Sequence, residues 1–408
     1  MKICFILETP FTHGGEQRVV SIISNHLYEQ GYDVSIMCTD MTVIRDNSLY
    51  NLNENIKIDY LEGYNNKYVK KIRKRRERMN KANLEKGKYK DSLFIQKFIN
   101  CDLITAYLLK RKIEKEKYDV AISLGIYNKI LARVSKYVSA KTIGWQHSSS
   151  ERYFEYEGEW FYNQDKYVKY MINNLDSYVV LTNKDREYIK NRFDENVIVI
   201  NNPKSIISNK TTDLSNRYFI AVGRFIPVKN FLTLIEIYKN FYKQNKRWKL
   251  KIVGDGYLKN EYLKRIKQYG LTKQVEIVDY TNDISKEYLS SSIYLMSSLQ
   301  EGWGMVMGEA LEFGLPIISF DITSAPEMIV DGYNGYIVKK YDKKEYMNKM
   351  LELANDEDKL RKFSKRSKKL SKQKNDSLII EKWISLFSSK EYAYGEDKML
   401  EKSVKIAK

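Results

Sequence analysis

The strongest constraint on this chain is a rhythm. Apolar runs of strand length alternate with segments of helical apolar spacing, and the alternation occurs in two series. The first opens with KICFIL (2–7), followed by a segment that places Val19, Ile22, Ile23 and Leu27 at helical spacing, with Gly31 where a helix C-cap belongs. VSIM (34–37), DVAISL (119–124), TIGW (142–145), SYVVLT (177–182) and NVIVIN (196–201) continue it. The second series is YFIAV (218–222), KLKIV (249–253), VEIVD (275–279), IYLMS (293–297) and PIISF (316–320). Strands without a polar face need cover on both sides, so each series predicts a parallel sheet with helices on both faces. The expected fold class is α/β, with two doubly wound domains. Ligands of such sheets bind beyond the carboxyl ends of the strands, so two domains with those ends opposed would face a central cleft.

The series break at Asn202-Pro203 and the polar stretch SNKTTDLSN (208–216). We therefore expect domains over 1–205 and 206–375. Residues 376–408 would hold a C-terminal helix, SLIIEKWISLF (377–387), crossing back, and then a frayed charged tail. A length of 408 residues suits two domains. The 43% hydrophobic content excludes a disordered chain, and no run of 18 apolar residues is present to span a membrane. MKICFILETP has too short an apolar run for a secretory signal and reads as a first strand. Three scattered cysteines, with no CxxC, argue against a disulfide frame or zinc site and fit a reducing cytoplasm.

The formal net charge is +18, which predicts attraction to an anionic partner. The excess is concentrated in a basic insert at about 64–90. There, Lys67 to Lys90 contains twelve Lys or Arg against Glu77 and Glu85. The plain reading is a solvated helix with a basic face. The functional readings are an anionic membrane surface or nucleic acid.

Three turns rich in backbone groups follow predicted strands. Thr12-His13-Gly14-Gly15-Glu16 lets main chain approach a ligand at a helix N-terminus, although it is neither GxGxxG nor a P-loop. Gly223-Arg224-Phe225-Ile226-Pro227-Val228-Lys229-Asn230 sets an arginine fork and a lysine point charge five residues apart across a stiffened turn, suited to a diphosphate. EGWGMVMGEALEFGLP (301–316) sets Glu301 past a strand end, an open turn at Gly302 and Gly304, and Glu309 about one and a half turns into a helix. A ligand along that helix start would meet amides at its anionic end and a carboxylate at a vicinal diol.

Glu301-Gly302-Trp303-Gly304, Glu309-Ala310 and Gly314-Leu315-Pro316 resemble the E-x7-E signature of the retaining glycosyltransferases of family 4, bacterial polysaccharide-type enzymes of GT-B architecture with two Rossmann-like domains. Gly14-Gly15, the Gly223-Arg224 to Lys229 turn, Val253-Gly254-Asp255-Gly256 and Asp331-Gly332-Tyr333-Asn334-Gly335 extend the likeness in order. Residues 41–115 match poorly and carry no role. The resemblance implies transfer of a hexose or N-acetylhexosamine from a nucleotide diphosphate sugar, UDP-linked by the family's habit. The acceptor would be a hydroxyl of a glycan or lipid-linked glycan, met on the N-terminal side. Glu309 would hold the ribose and Glu301 the donor sugar. Gly302, Trp303, Gly304, Met305 and Val306 would supply the intervening amides, and Gly223, Arg224 and Lys229 the diphosphate site, with Gly14 and Gly15 adding main-chain groups. His147, after a predicted strand in IGWQHS, would stand near the reacting sugar, completing a catalytic set of His147, Arg224, Lys229 and Glu301.

His26 reads as a packing residue of the first helix, and His13 beside the glycine pair is left open. Asp356-Glu357-Asp358 reads as a solvated face, so no catalytic metal and no cofactor is expected. The expected location is cytoplasmic, peripheral on the inner face of the cell membrane, with no nucleic-acid partner. A GT-B-type nucleotide-sugar epimerase or phosphorylase is the alternative, separable by its product. A nucleic-acid-binding protein would explain the charge but not the glutamate pair, and a dehydrogenase would need a GxGxxG after a strand.

Overall fold

The computed structural model describes residues 1–101, 103–281 and 283–388, with residues 77 and 79–85 described by backbone alone. The tail expected to fray lies, over 389–408, outside the described residues. Among the described residues two compact units emerge, Met1–Pro203 together with Asp376–Ser388, and Lys204–Asn375.

In the first unit the strands are β1 Lys2–Leu7, β2 Asp33–Cys38, β3 Lys57–Tyr60, β4 Val120–Leu124, β5 Lys141–Trp145, β6 Ser177–Val180 and β7 Ile198–Val199. They form one sheet in the order β3-β2-β1-β4-β5-β6-β7, with every pair parallel. β1 is buried on both faces, which is why its sequence shows no polar alternation. Cys4 and Ile6 join a core with Met37, Ala121 and Met171. From the other face Phe5 packs against Trp145, with ring centroids 6.5 Å apart. The helix Asp376–Ser388 closes that layer. Its Trp383 meets Trp145 edge-on at 4.7 Å, and its Phe387 meets Tyr32 at 6.5 Å.

The second unit contains β8 Tyr218–Val222, β9 Lys249–Val253, β10 Val275–Val278, β11 Ile293–Met296, β12 Ile317–Phe320 and β13 Gly335–Val338. Their order is β10-β9-β8-β11-β12-β13, again all parallel. The core is aromatic. Phe219 on β8 stacks among Phe241, Trp248 and Tyr238 within 4.8 to 6.5 Å.

Both units are therefore α/β and doubly wound, and in each the strand order reverses beside the first strand. The reversal falls between β1 and β4 in one unit and between β8 and β11 in the other. At such switch points the loops diverge to opposite faces and leave a crevice beyond the strands' carboxyl ends.

Several local expectations need correction. NVIVIN forms a strand only over Ile198–Val199, which pairs with β6 at the sheet edge. β3 and β13, neither expected as a strand, extend the two sheets. His26 does not serve the core: it is half-exposed at the end of the helix Gly15–Glu29, with Nδ1 3.6 Å from Glu29. Asp356-Glu357-Asp358 is solvent-exposed as expected, and Asp356 in addition caps the helix Glu357–Gln373 by accepting from the Lys359 amide at 2.9 Å. The basic segment is helical over Lys67–Glu85.

Candidate active site

The switch point of the second unit gathers the three features singled out in its sequence. The turn after β8 is locked to the turn after β9 by main-chain bonds: Phe225 donates to the Asp255 carbonyl at 2.6 Å, and Leu258 to the Phe225 carbonyl at 3.2 Å. The approach is so close that only glycine fits at Gly254. Its φ is +150°, and a Cβ there would stand 2.0 Å from the Gly223 carbonyl oxygen. The Val253-Gly254-Asp255-Gly256 motif is thus the support on which Gly223 and Arg224 rest.

The same turn is tied to the loop after β11. Leu299 donates to the Val228 carbonyl at 2.9 Å, and the Ser297 hydroxyl to the Lys229 carbonyl at 2.8 Å. The side chain of Lys229 lies over Gly223, and its ammonium reaches Glu301 Oε1 at 2.5 Å. Both partners are about 15% exposed (15% and 14%), so the pair is held at the rim rather than loose in solvent. Arg224, in the same turn, is exposed.

Beyond Glu301, Trp303 is buried and carries the Lys374 ammonium 5.2 Å from its ring centroid, which pins the turn. Gly304 is the N-cap of the helix Met305–Glu312, at φ +70°. No side chain caps this end, so its amides are satisfied by other means or by a ligand. Glu309, one turn in, is 4% exposed. Its two oxygens accept from the Ser205 hydroxyl at 2.7 Å and the Tyr288 hydroxyl at 2.9 Å.

Three of these supports escaped the sequence reading. Ser205 sits in the linker, Tyr288 in a short helix, and Glu312 close to the helix's glycine end, with no pattern to mark them. Glu312 is the buried anchor of the helix. It accepts from Lys204 at 3.0 Å, Lys368 at 2.9 Å, the Ser208 amide at 3.1 Å and the Ser371 hydroxyl. Burial opposes its charge, but these donors outweigh it and pull its pKa down to about 2.

The first unit presents a different set at its own switch point. Gly14 has extended backbone and gives its N–H to the Tyr50 hydroxyl at 2.8 Å, whereas Gly15 is exposed at the helix start. Glu16, passed over in the sequence, is drawn in by its place in the helix's first turn. Burial, reinforced by Glu8, raises its carboxyl pKa to about 7. Its Oε2, the Tyr153 hydroxyl and the Trp160 ring converge on the bare Cα of Gly125, where a Cβ would lie 3.4 to 3.7 Å from all three. His147 follows β5 and packs on Trp145 at 4.1 Å between ring centroids. Its Nε2 is buried without a hydrogen-bond partner among the described residues, and burial lowers its pKa to about 3, so the imidazole is neutral.

Two Rossmann-like units in one chain, with a helix N-terminus and the Lys229–Glu301 pair at the second switch point, define the GT-B class of fold. Residues 203–370 match the family described as glycosyl transferases group 1. An amylovoran biosynthesis glycosyltransferase of Erwinia amylovora is 38% identical over 164 residues, 40% of this chain and 46% of that relative. A poly(ribitol-phosphate) alpha-N-acetylglucosaminyltransferase of Staphylococcus aureus is 26% identical over 297 residues, 72% of this chain and 60% of that relative. The alignments thus span about half the length of these two curated relatives. The crystal structure of a mutant of S. aureus TarM, in complex with fondaparinux, alpha-GlcNAc-glycerol and UDP, superposes with a TM-score of 0.72. It is 18% identical, covering 95% of this chain and all of that one, and is a likeness of fold.

Proposed function

We propose that the protein is a retaining hexosyltransferase of polysaccharide biosynthesis. It would move a hexose or N-acetylhexosamine from a UDP-sugar to a hydroxyl of a glycan or lipid-linked glycan. The observation that carries this reading is the Lys229–Glu301 pair beside a helix N-terminus with no side-chain cap, with Glu309 one turn further on. In this reading Glu309 binds the ribose diol, since each carboxylate oxygen can accept more than one hydrogen bond. Glu301 accepts from donor-sugar hydroxyls. The amides from Gly302 to Val306 border the sugar and phosphate. Lys229 and Arg224 take the diphosphate.

The bond that breaks joins the anomeric carbon to the diphosphate oxygen. The bond that forms joins the same carbon, on the same face, to the acceptor oxygen, and the acceptor's proton leaves with the phosphate. Charge would develop on the departing diphosphate, where Lys229, Arg224 and the helix amides would offset it. We therefore propose transfer without a metal cofactor. His147, held neutral, serves the sugar as a hydrogen-bonding partner and not as an acid. Support for UDP and an α-linked product comes from the named S. aureus relative and from the ligands of the TarM complex. The Lys67–Lys90 segment would draw the protein to an anionic inner membrane face, where lipid-linked acceptors reside.

The test is transfer by purified protein over a panel of UDP- and GDP-sugars, in chelator and without added metal. A new glycoside is the expected product. Glu301→Ala and Glu309→Ala should each cut turnover by about a hundredfold or more while far-UV circular dichroism shows the fold retained at the assay temperature. Wild-type turnover in both variants would remove the site assignment. An epimerised sugar or a sugar phosphate as product would replace the reaction.

A further inference from the structure

The first unit carries a second charged feature, built from residues given no role above. The helix Leu93–Asn100, the helix Leu103–Glu116 and the helix Asn128–Val134 with its following turn enclose an open groove of about 620 Å³. Lys97, Lys110, Arg133 and Lys136 all line it, and among the described residues no carboxylate does. None of the four forms an ion pair among the described residues. Lys97 has the Tyr170 ring at 3.9 Å and Lys110 the Tyr137 ring at 5.8 Å, contacts that orient a cation without neutralising it. Burial, with Arg133 and Lys136 nearby, pushes the Lys97 ammonium below its usual pKa. Four mutually repelling cations around one hollow favour an anion between them.

The mouth of the groove is apolar. Leu103 is 69% exposed, Tyr107 60% and Tyr137 67%. On the helix Leu93–Asn100, beside Lys97, Phe94 is 83% exposed and Phe98 58%. A soluble phosphate ligand would explain the cations but not this rim of bare aromatic and aliphatic side chains, whose exposure to water is unfavourable. An anionic bilayer explains both, since its headgroups carry the phosphate and its interfacial zone accepts tyrosine, phenylalanine and leucine.

We propose that this face docks on an anionic membrane, with the phosphate of a lipid headgroup seated between Lys97, Lys110, Arg133 and Lys136 and the rim residues entering the interface. The basic helix Lys67–Glu85 adjoins it, with Arg76 4.0 Å over the Phe98 ring, and adds long-range attraction, while the groove makes the contact. The inference extends the proposed lipid-linked acceptor but does not depend on the donor chemistry, because docking is read without turnover.

The experiment is co-sedimentation of the full chain with phosphatidylcholine vesicles with and without phosphatidylglycerol. Wild type should bind only the anionic vesicles. Replacing Lys97, Lys110, Arg133 and Lys136 with glutamine should weaken binding by several hundredfold at low salt, taking each cation as worth about fivefold. Leu103→Ser with Tyr107→Ser should weaken it by roughly tenfold, with the salt dependence kept. As a charge-matched control, replacing Lys70, Lys71, Lys74 and Arg75 on the basic helix with glutamine should cost much less. Circular dichroism and thermal melts confirm that each variant folds. The proposal fails if the groove variant binds as wild type does, if the basic-helix variant alone abolishes binding, or if glycerol phosphate displaces the protein from vesicles at micromolar concentration. That last result would make the groove a site for a soluble phosphate.

Discussion

The two sheets share their strand order around the switch point, but their strand ends carry opposite electrostatics. In the second unit the carboxylates are matched. Glu301 meets Lys229, Glu309 meets two hydroxyls, and Glu312 meets Lys204, Lys368, Ser371 and a main-chain amide. In the first unit burial dominates the corresponding groups. Glu16 is raised to about 7 and His147 lowered to about 3, so near neutrality one is half-protonated and the other uncharged. One fold thus supports two kinds of surface. In the proposed reaction, a paired, fixed-charge rim would suit a departing diphosphate. A neutral rim of carboxyl, imidazole, tyrosine and tryptophan suits uncharged sugar hydroxyls. The difference lies in a handful of side chains at strand ends and not in topology.

The matched side of this comparison breaks most severely at Glu312. Glu312→Ala leaves Lys204 and Lys368 without the carboxylate that binds them, and unpaired buried charge is costly, about 3–5 kcal/mol. Thermal or urea unfolding should show a loss of that order, and Glu312→Gln a smaller one, since it keeps an acceptor. The pH dependence follows from the depressed pKa. The stabilisation is complete above the unfolded value of 4.5 and is lost as pH falls through about 2. A Glu312→Ala protein that melts with wild type would show that the network is decorative.

Next comes Lys229, where the comparison predicts a catalytic effect rather than a stability effect. Lys229→Met removes the cation assigned to the leaving diphosphate. It should lower kcat by about a hundred- to a thousandfold, the usual cost of one transition-state donor. It also releases Glu301, so donor KM should rise less than kcat falls. If kcat is kept and only KM rises, Lys229 binds the ground state and the transition state alike, and the assigned role is wrong.

Much of the second unit was legible in its sequence because its determinants are local. Its strands are continuous apolar runs, and its turns demand glycine at fixed points, as Gly254 and Gly304 show. The residues that hold those turns were not legible. Ser205 and Tyr288 reach Glu309 from 104 and 21 positions away, and such tertiary pairings leave no periodic trace. β13 was read only as a glycine motif. It begins at Gly335, where a Cβ would stand 2.0 Å from the Ile317 carbonyl oxygen, so the motif was visible and its place in the sheet was not. In the first unit β3 was missed because KIDY alternates charge with apolar residues on a half-buried edge. The groove was missed entirely. Its four cations are contributed by three helices and a turn, and on a strongly basic chain none stands out singly.

The smallest expected effect probes the unmatched side. Glu16 is a carboxylate whose ionisation the fold opposes, so its sign is the reverse of Glu312. Below pH 4.5 it is protonated in both folded and unfolded chains and costs nothing. As pH rises from 4.5 through about 7, the unfolded chain releases its proton first and stability is lost. Above that the penalty is constant, about 3 kcal/mol from the size of the shift. Glu16→Gln, neutral at every pH, should therefore stabilise the protein by up to that amount at pH 8 and leave it unchanged at pH 4.5. The comparison of unfolding midpoints between variant and wild type at the two pH values isolates Glu16 from the other titrating groups. Stabilisation of equal size at both values would mean that the amide simply packs better than the acid. Destabilisation at pH 8 would mean that the folded first unit welcomes the carboxylate, and the contrast between the two strand-end surfaces would then be lost.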